Sequence, residues 1–95
     1  MIGVIWTIGL TVIQANIFFK RGEYNKGRAV LWPLLHILTE KEDYIYQAWC
    51  LAVIAYSYNK QYEYEKAEYY YRKAYYATIK TNDIRQTVHY LPLII

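Results

Sequence analysis

Apolar and polar stretches alternate along this chain at lengths typical of helices. Residues 1–19 carry no charged side chain, and a second apolar run, RAVLWPLLHIL, follows the polar stretch KRGEYNKG. Two further long stretches, YIYQAWCLAVIAYSY and YEYEKAEYYYRKAYYA, are separated by the short polar segment NKQ. Only four glycines and two prolines interrupt the 95 residues. The pattern therefore predicts long helices joined by short loops, which makes neighbouring helices antiparallel.

The polar stretches contain start and stop signals for these helices. Gly22 is placed like a helix C-terminal cap. Thr39 and Glu42 have the spacing of a capping box, which predicts that the third helix begins near residue 42. Residues 59–61 are predicted to form the next turn, with an asparagine that tolerates left-handed backbone. Pro33 is expected to kink or split the second helix.

The prediction is therefore an all-α fold made of two antiparallel helical hairpins and a short C-terminal helix. A chain of 95 residues forms one domain at most. Hairpin 1 is expected at about residues 2–38 and hairpin 2 at about 42–79. The short helix is expected at about 83–91, ended by Pro92.

The two hairpins share a spacing of residues. Gly22-x-Tyr24-x-x-Gly27 in the first hairpin corresponds to Tyr62-x-Tyr64-x-x-Ala67 in the second. Each stands after a polar turn and at the start of a second helix. A helix–turn–helix unit that recurs at such a distance indicates a helical repeat.

Residues 51–74 resemble a tetratricopeptide repeat. The matching positions are Ile54, Ala55, Tyr58, Tyr64, Ala67, Tyr71 and Ala74, and hairpin 1 matches more weakly at Ala15, Phe18, Gly22, Tyr24, Gly27 and Leu31. Leu51 stands where the family prefers tryptophan and Tyr62 where it prefers glycine. The distance from Gly22 to Tyr62 also exceeds the family's usual repeat length, which is about 34. The resemblance implies a scaffold that binds proteins or peptides without catalysis.

The resemblance also implies a ligand-binding inner face on the first helix of each hairpin. The corresponding residues are Asn16, Lys20, Tyr56, Asn59 and Lys60. An asparagine can hold a peptide backbone and a lysine can meet a carboxylate. The family's lysine-rich carboxylate clamp is not reproduced, because Val12 and Ala52 stand at positions that it needs polar. Polar residues close to turns also have a purely structural explanation, as helix-end groups.

The tyrosines of the last long stretch divide between two faces when each residue advances about 100° around a helix. The predicted packing face carries Tyr64, Ala67, Tyr71, Ala74, Tyr75 and Thr78. The opposite face carries what we call the outer strip: Tyr62, Tyr69, Tyr76, Lys66, Lys73 and Lys80. The strip is interpreted as a protein contact, as a stacking surface for RNA, or as a solvated face. Three glutamates beside it, Glu63, Glu65 and Glu68, dilute the positive field and disfavour nucleic acid.

Composition and charge disfavour an enzyme. The net charge is only +3, and Cys50 is the single cysteine, so neither an intrachain disulfide nor a Cys/His metal site is expected. His36 and His89 have no serine or cysteine nucleophile placed near them in the sequence. No glycine-rich phosphate loop or close acidic pair is found, and we therefore expect no catalysis, cofactor or metal.

The first nineteen residues leave two interpretations open. As a helix they would span about 28 Å, close to the thickness of a bilayer, with Lys20 and Arg21 on the cytoplasmic or matrix side. However, the apolar residues 29–38 need an antiparallel partner, which favours packing of residues 1–19 within the repeat or against another subunit. Both ends of the chain are apolar, so we expect it to be stable only within an oligomer or a larger complex.

The expected function is a non-catalytic protein–protein interaction or scaffold module, a small subunit of a larger assembly. One alternative is a small subunit of a membrane complex, organellar or not, in which residues 1–19 are the membrane anchor. Another is RNA binding through the outer strip. The tyrosine- and isoleucine-rich composition suits an AT-rich or organellar genome. An intracellular or organellar protein is expected, with membrane association as the alternative, and protein partners or self-association are expected rather than nucleic acid.

Overall fold

The computed structural model describes residues 2–81, with side chains from Trp6 onward, and contains four α-helices. They are α1 (Ile2–Lys20), α2 (Tyr24–Glu40), α3 (Tyr44–Lys60) and α4 (Tyr64–Lys80). Residues 2–81 contain no strand, and the predicted all-α fold is confirmed. The predicted short helix at about 83–91 lies outside the described residues.

A unit of one helix and one short turn repeats along the chain at a constant length. Helices α2, α3 and α4 each have 17 residues and begin at residues 24, 44 and 64. The middle residue of each turn has left-handed backbone, with φ of 79° at Gly22, 55° at Glu42 and 64° at Tyr62. The amide of Gly22 donates to the Phe19 carbonyl at 3.0 Å, and the amide of Glu23 donates to the Phe18 carbonyl at 2.9 Å. The other two turns have the same pair of hydrogen bonds. These paired bonds form a Schellman motif, which satisfies helix-end carbonyls.

The third helix begins differently from the prediction. The carboxylate of Asp43 accepts a hydrogen bond from the Tyr46 amide at 3.2 Å and caps α3. The predicted capping box does not form, because the Thr39 hydroxyl donates back to the Leu35 carbonyl at 2.8 Å. Glu42, the second member of that box, instead occupies the left-handed turn position.

The turn before α4 was also predicted at the wrong residues. Helix α3 continues through Asn59 to Lys60, and the left-handed residue is Tyr62. Asparagine adopts left-handed backbone more readily than tyrosine, but the constant length of helix and turn places Tyr62 at that position. Tyr62 therefore adopts backbone that costs a side-chain-bearing residue roughly 1–2 kcal/mol.

We expect Tyr62→Gly to stabilise the fold by about 1 kcal/mol, because glycine adopts positive φ without steric cost. Urea unfolding followed by circular dichroism measures the change. Tyr69→Gly is the matched control, since Tyr69 is also exposed but lies inside α4, where glycine costs roughly 1 kcal/mol. A loss of stability in both variants would contradict the strain at residue 62.

Pro33 does not split the second helix, which is continuous from Tyr24 to Glu40. Proline removes the hydrogen bond to the carbonyl four residues earlier. Both Pro33 and Ala29, whose carbonyl loses this partner, are exposed, so water can satisfy the carbonyl.

The hydrophobic core lies between the first three helices. Consecutive helices pack against each other, and α1 also touches α3. The buried cluster consists of Ile8, Val12, Ala15, Phe19, Leu31, Leu34, Leu38, Cys50 and Ile54. Helix α1 thus contributes four buried apolar side chains to the core of the described chain, as the need of residues 29–38 for a partner predicts.

Helix α4 packs on α3 mainly through small side chains. Ala67, Ala74, Ala77 and Thr78 are buried, which lets the two helix backbones approach closely. Tyr64 was predicted on this packing face, but it is 60% exposed. Its ring instead lies edge-on to the exposed ring of Tyr62 in the preceding turn.

A buried arginine joins the two hairpins and was not foreseen. Arg28 in α2 is 5% exposed, and its guanidinium donates to the Ser57 hydroxyl at 2.9 Å and to the Asn25 amide oxygen at 2.8 Å. The guanidinium carbon lies 4.0 Å from the centre of the Tyr58 ring, which stacks on Tyr70. Within residues 6–81 no carboxylate pairs with Arg28. Two neutral hydrogen-bond acceptors and a ring face therefore hold this cation, which locks α2 onto α3.

Candidate functional site

A concave groove opens where α1 and α3 end and α2 begins. Its volume is about 540 Å³, and it is lined by Asn16, Phe19, Lys20, Tyr24, Tyr56 and Lys60. We call it the concave groove. Four of the five predicted inner-face residues thus lie together, while the fifth, Asn59, is exposed outside the lining.

The charge of the concave groove comes from two equivalent lysines. Lys20 is the last residue of α1, and Lys60 is the last residue of α3, at the same place in the second hairpin. The Lys60 ammonium lies 5.5 Å from the centre of the Tyr56 ring, a cation–π distance. None of the described residues that line the groove is acidic, so its potential favours an anionic ligand.

The floor of the groove is aromatic. The rings of Phe19 and Tyr24 stack with centres 6.0 Å apart and planes 21° from parallel. Sequence reasoning missed Phe19 as a groove residue, although the repeat register aligns it with Asn59, which was predicted to face the ligand. Mapping Asn59 back onto hairpin 1 through this register would have added Phe19 to the predicted inner face. Aromatic surface beside lysines and an asparagine fits a peptide with both apolar and acidic groups.

The residues of the outer strip have different neighbours along the chain. Tyr62 precedes α4 and lies edge-on to Tyr64, with ring centres 6.3 Å apart. Lys66 pairs with Glu63 at 3.3 Å, and the Lys73 ammonium lies 5.1 Å from the centre of the Tyr69 ring. The tyrosines Tyr62, Tyr69 and Tyr76 are all exposed.

The second half of the outer strip borders another groove. This groove of about 230 Å³ is lined by Lys73, Tyr76, Ala77 and Lys80 of α4, with Leu35 and Thr39 of α2 and Gln47 and Leu51 of α3. The ammonium of Lys80 lies 5.6 Å from the centre of the Tyr44 ring. This part of the strip is exposed and also borders a junction of three helices.

Cys50 lies in the core of the described chain, whereas His36 lies on its surface. Burial raises the pKa of the Cys50 thiol from 9.0 to about 12, so the thiol stays protonated and is a poor nucleophile. Its sulfur lies 3.8 Å from the Leu31 carbonyl oxygen inside the core. His36 forms an exposed contact of 3.0 Å with Glu40 in the next turn of the same helix. Among the described residues, no group of three His, Cys, Asp or Glu side chains is placed to hold a metal ion.

The membrane alternative concerns the first helix. Within the part of the chain that the structure describes, no helix is both long enough and apolar enough to cross a membrane.

Comparison with known protein families, with curated proteins and with solved structures finds no match to this chain. The four packed helices are compatible with a helical repeat.

Proposed function

We propose that this chain is a tetratricopeptide-like, non-catalytic interaction module that acts as a small subunit of a larger protein assembly. The concave groove is the observation that carries the proposal. It brings Asn16, Lys20, Tyr56 and Lys60 together from two helices that are far apart in the sequence.

The groove suits an extended, acidic segment of a partner protein. The two lysines would meet carboxylates, Asn16 would bond the peptide backbone, and the Phe19 and Tyr24 rings would contact apolar side chains. An ion pair of an exposed lysine contributes up to about 1 kcal/mol, so loss of both pairs should weaken binding about tenfold.

Fluorescence anisotropy with labelled peptide pools tests this function. One pool is rich in Asp and Glu with aromatic residues, and the other has Lys and Arg in their place. We expect the acidic pool to bind and the variant Lys20→Glu/Lys60→Glu to lose at least about tenfold in affinity. Partners isolated from native extract and identified by mass spectrometry would then supply the sequence that the groove recognises.

The matched control is Lys26→Glu/Lys41→Glu, which changes the net charge equally at two exposed lysines outside the groove. This control should keep nearly full affinity. An equal loss in both double variants would show general charge attraction in place of a site, and binding of the basic pool would contradict the proposal outright.

A further inference from the structure

One side of α1 exposes a row of large apolar side chains. Trp6, Leu10, Ile13 and Ile17 are 65%, 57%, 57% and 48% exposed. Their spacing of four, three and four residues keeps them on one face of the helix. We call this row the α1 stripe. A contiguous apolar row of this kind marks an interaction surface.

The repeat register shows what kind of structure covers such a row. In the register that aligns Lys20 with Lys60, the corresponding positions of α3 are Tyr46, Cys50, Val53 and Ser57. Cys50 and Ser57 are 1% and 0% exposed, and the other two pack against the core cluster. Helix α2 covers them, through Leu31 at Cys50 and Arg28 at Ser57. The face of α3 that corresponds to the α1 stripe is therefore covered by a neighbouring helix.

The charge of α1 restricts which helix can cover the stripe. Lys20, the last residue, is the only charged side chain of this helix. A covering helix must therefore present an uncharged apolar face of the same length. The α1 stripe of another copy meets this requirement.

The spacing of the stripe is also self-complementary. Steps of four, three and four residues read the same in both directions, so two antiparallel α1 helices can interdigitate about a twofold axis. Leu10 then lies opposite Ile13 of the other copy, and Trp6 lies opposite Ile17. The same patch serves both subunits, as in the commonest class of homodimer.

We propose that the chain forms a twofold dimer through antiparallel pairing of two α1 stripes. In this pairing Lys20 lies opposite residue 3, so the two Lys20 side chains are separated by about 25 Å along the helix axis. That distance exceeds the screening length of physiological salt, about 8 Å, and the lysines do not repel each other. The proposal goes beyond peptide binding, since it concerns how the chain assembles with itself.

Light scattering coupled to size-exclusion chromatography tests the dimer on the full 95-residue chain. The wild type should have twice the mass of one chain. Leu10→Lys should reduce it to the mass of one chain, because each lysine would be buried against Ile13 and close to its own symmetry mate. The double variant Leu10→Lys/Ile13→Glu should restore the dimer, because each introduced lysine faces an introduced glutamate.

The rescue separates the proposed pairing from other uses of the stripe. Ile79→Lys, at an exposed isoleucine of α4, is the control and should remain dimeric. A wild-type monomer, or a dimer that Leu10→Lys leaves intact, would overturn the proposal. A second outcome would also overturn it: the wild-type chain is monomeric in buffer and floats with phosphatidylcholine vesicles, and both stripe variants lose this flotation. The stripe would then bind lipid.

Discussion

Leu31→Ala is expected to lower the free energy of unfolding by about 3–4 kcal/mol, within the range of about 2–5 kcal/mol for such truncations. Leu31 is 0% exposed and lies in the core cluster between the three helices α1, α2 and α3. Its truncation removes buried methyl groups and leaves a cavity. The cost is expected near the middle of the range or above it, because three helices would have to move together to fill that cavity.

Thermal and urea unfolding of three variants at the same helix measure this effect. The loss should lower the midpoint temperature by about 15 °C or more in a domain of this size. Leu31→Met keeps the volume and should cost less than about 1.5 kcal/mol. Ile37→Ala, at a residue that is 48% exposed, should change stability by less than about 1 kcal/mol. Equal losses from Leu31→Ala and Ile37→Ala would mean that the core does not lie between α1, α2 and α3.

The helices themselves are largely predictable, because they depend on local composition. The scarcity of glycine and proline and the long apolar stretches predict the four long helices along the chain. The burial of Ala67 and Ala74 in α4 follows from helical periodicity alone. The turns are harder, since Asn59 has the better local preference but Tyr62 takes the left-handed position. There the packed length of the helix, which is a tertiary property, decides the outcome.

The contacts between hairpins are the least predictable part. A charged residue is normally exposed, and the burial of Arg28 depends on Ser57, which lies on a different hairpin. The concave groove is partly accessible to sequence reasoning, because the repeat register relates Lys20 to Lys60. The second groove is not, since periodicity places Tyr76 on a face of α4 but carries no information on where α2 lies.

A close approach between α1 and α2 links stability to the concave groove. Gly27 lies in the first turns of α2, and a Cβ atom added there would overlap the Phe19 ring and lie 2.9 Å from the Ala15 carbonyl oxygen. The carbonyl belongs to a helix backbone and cannot turn away, so any side chain must push the two helices apart. Phe19 lines the concave groove, and the same displacement reshapes the ligand surface.

Gly27→Val should therefore cost about 3 kcal/mol in stability, at the upper end of the range for overpacked sites, despite the small gain in helix propensity over glycine. Urea unfolding measures the loss, and Ala29→Val, at an exposed site on the same helix, should cost less than about 1 kcal/mol. Where the variant remains folded, its affinity for the acidic peptide pool should fall as well, because Phe19 no longer holds its place. If Gly27→Val lost no more stability than Ala29→Val, the close contact between α1 and α2 at Gly27 would be contradicted. Peptide binding that survived a confirmed loss of stability would instead show that Phe19 contributes nothing to the groove.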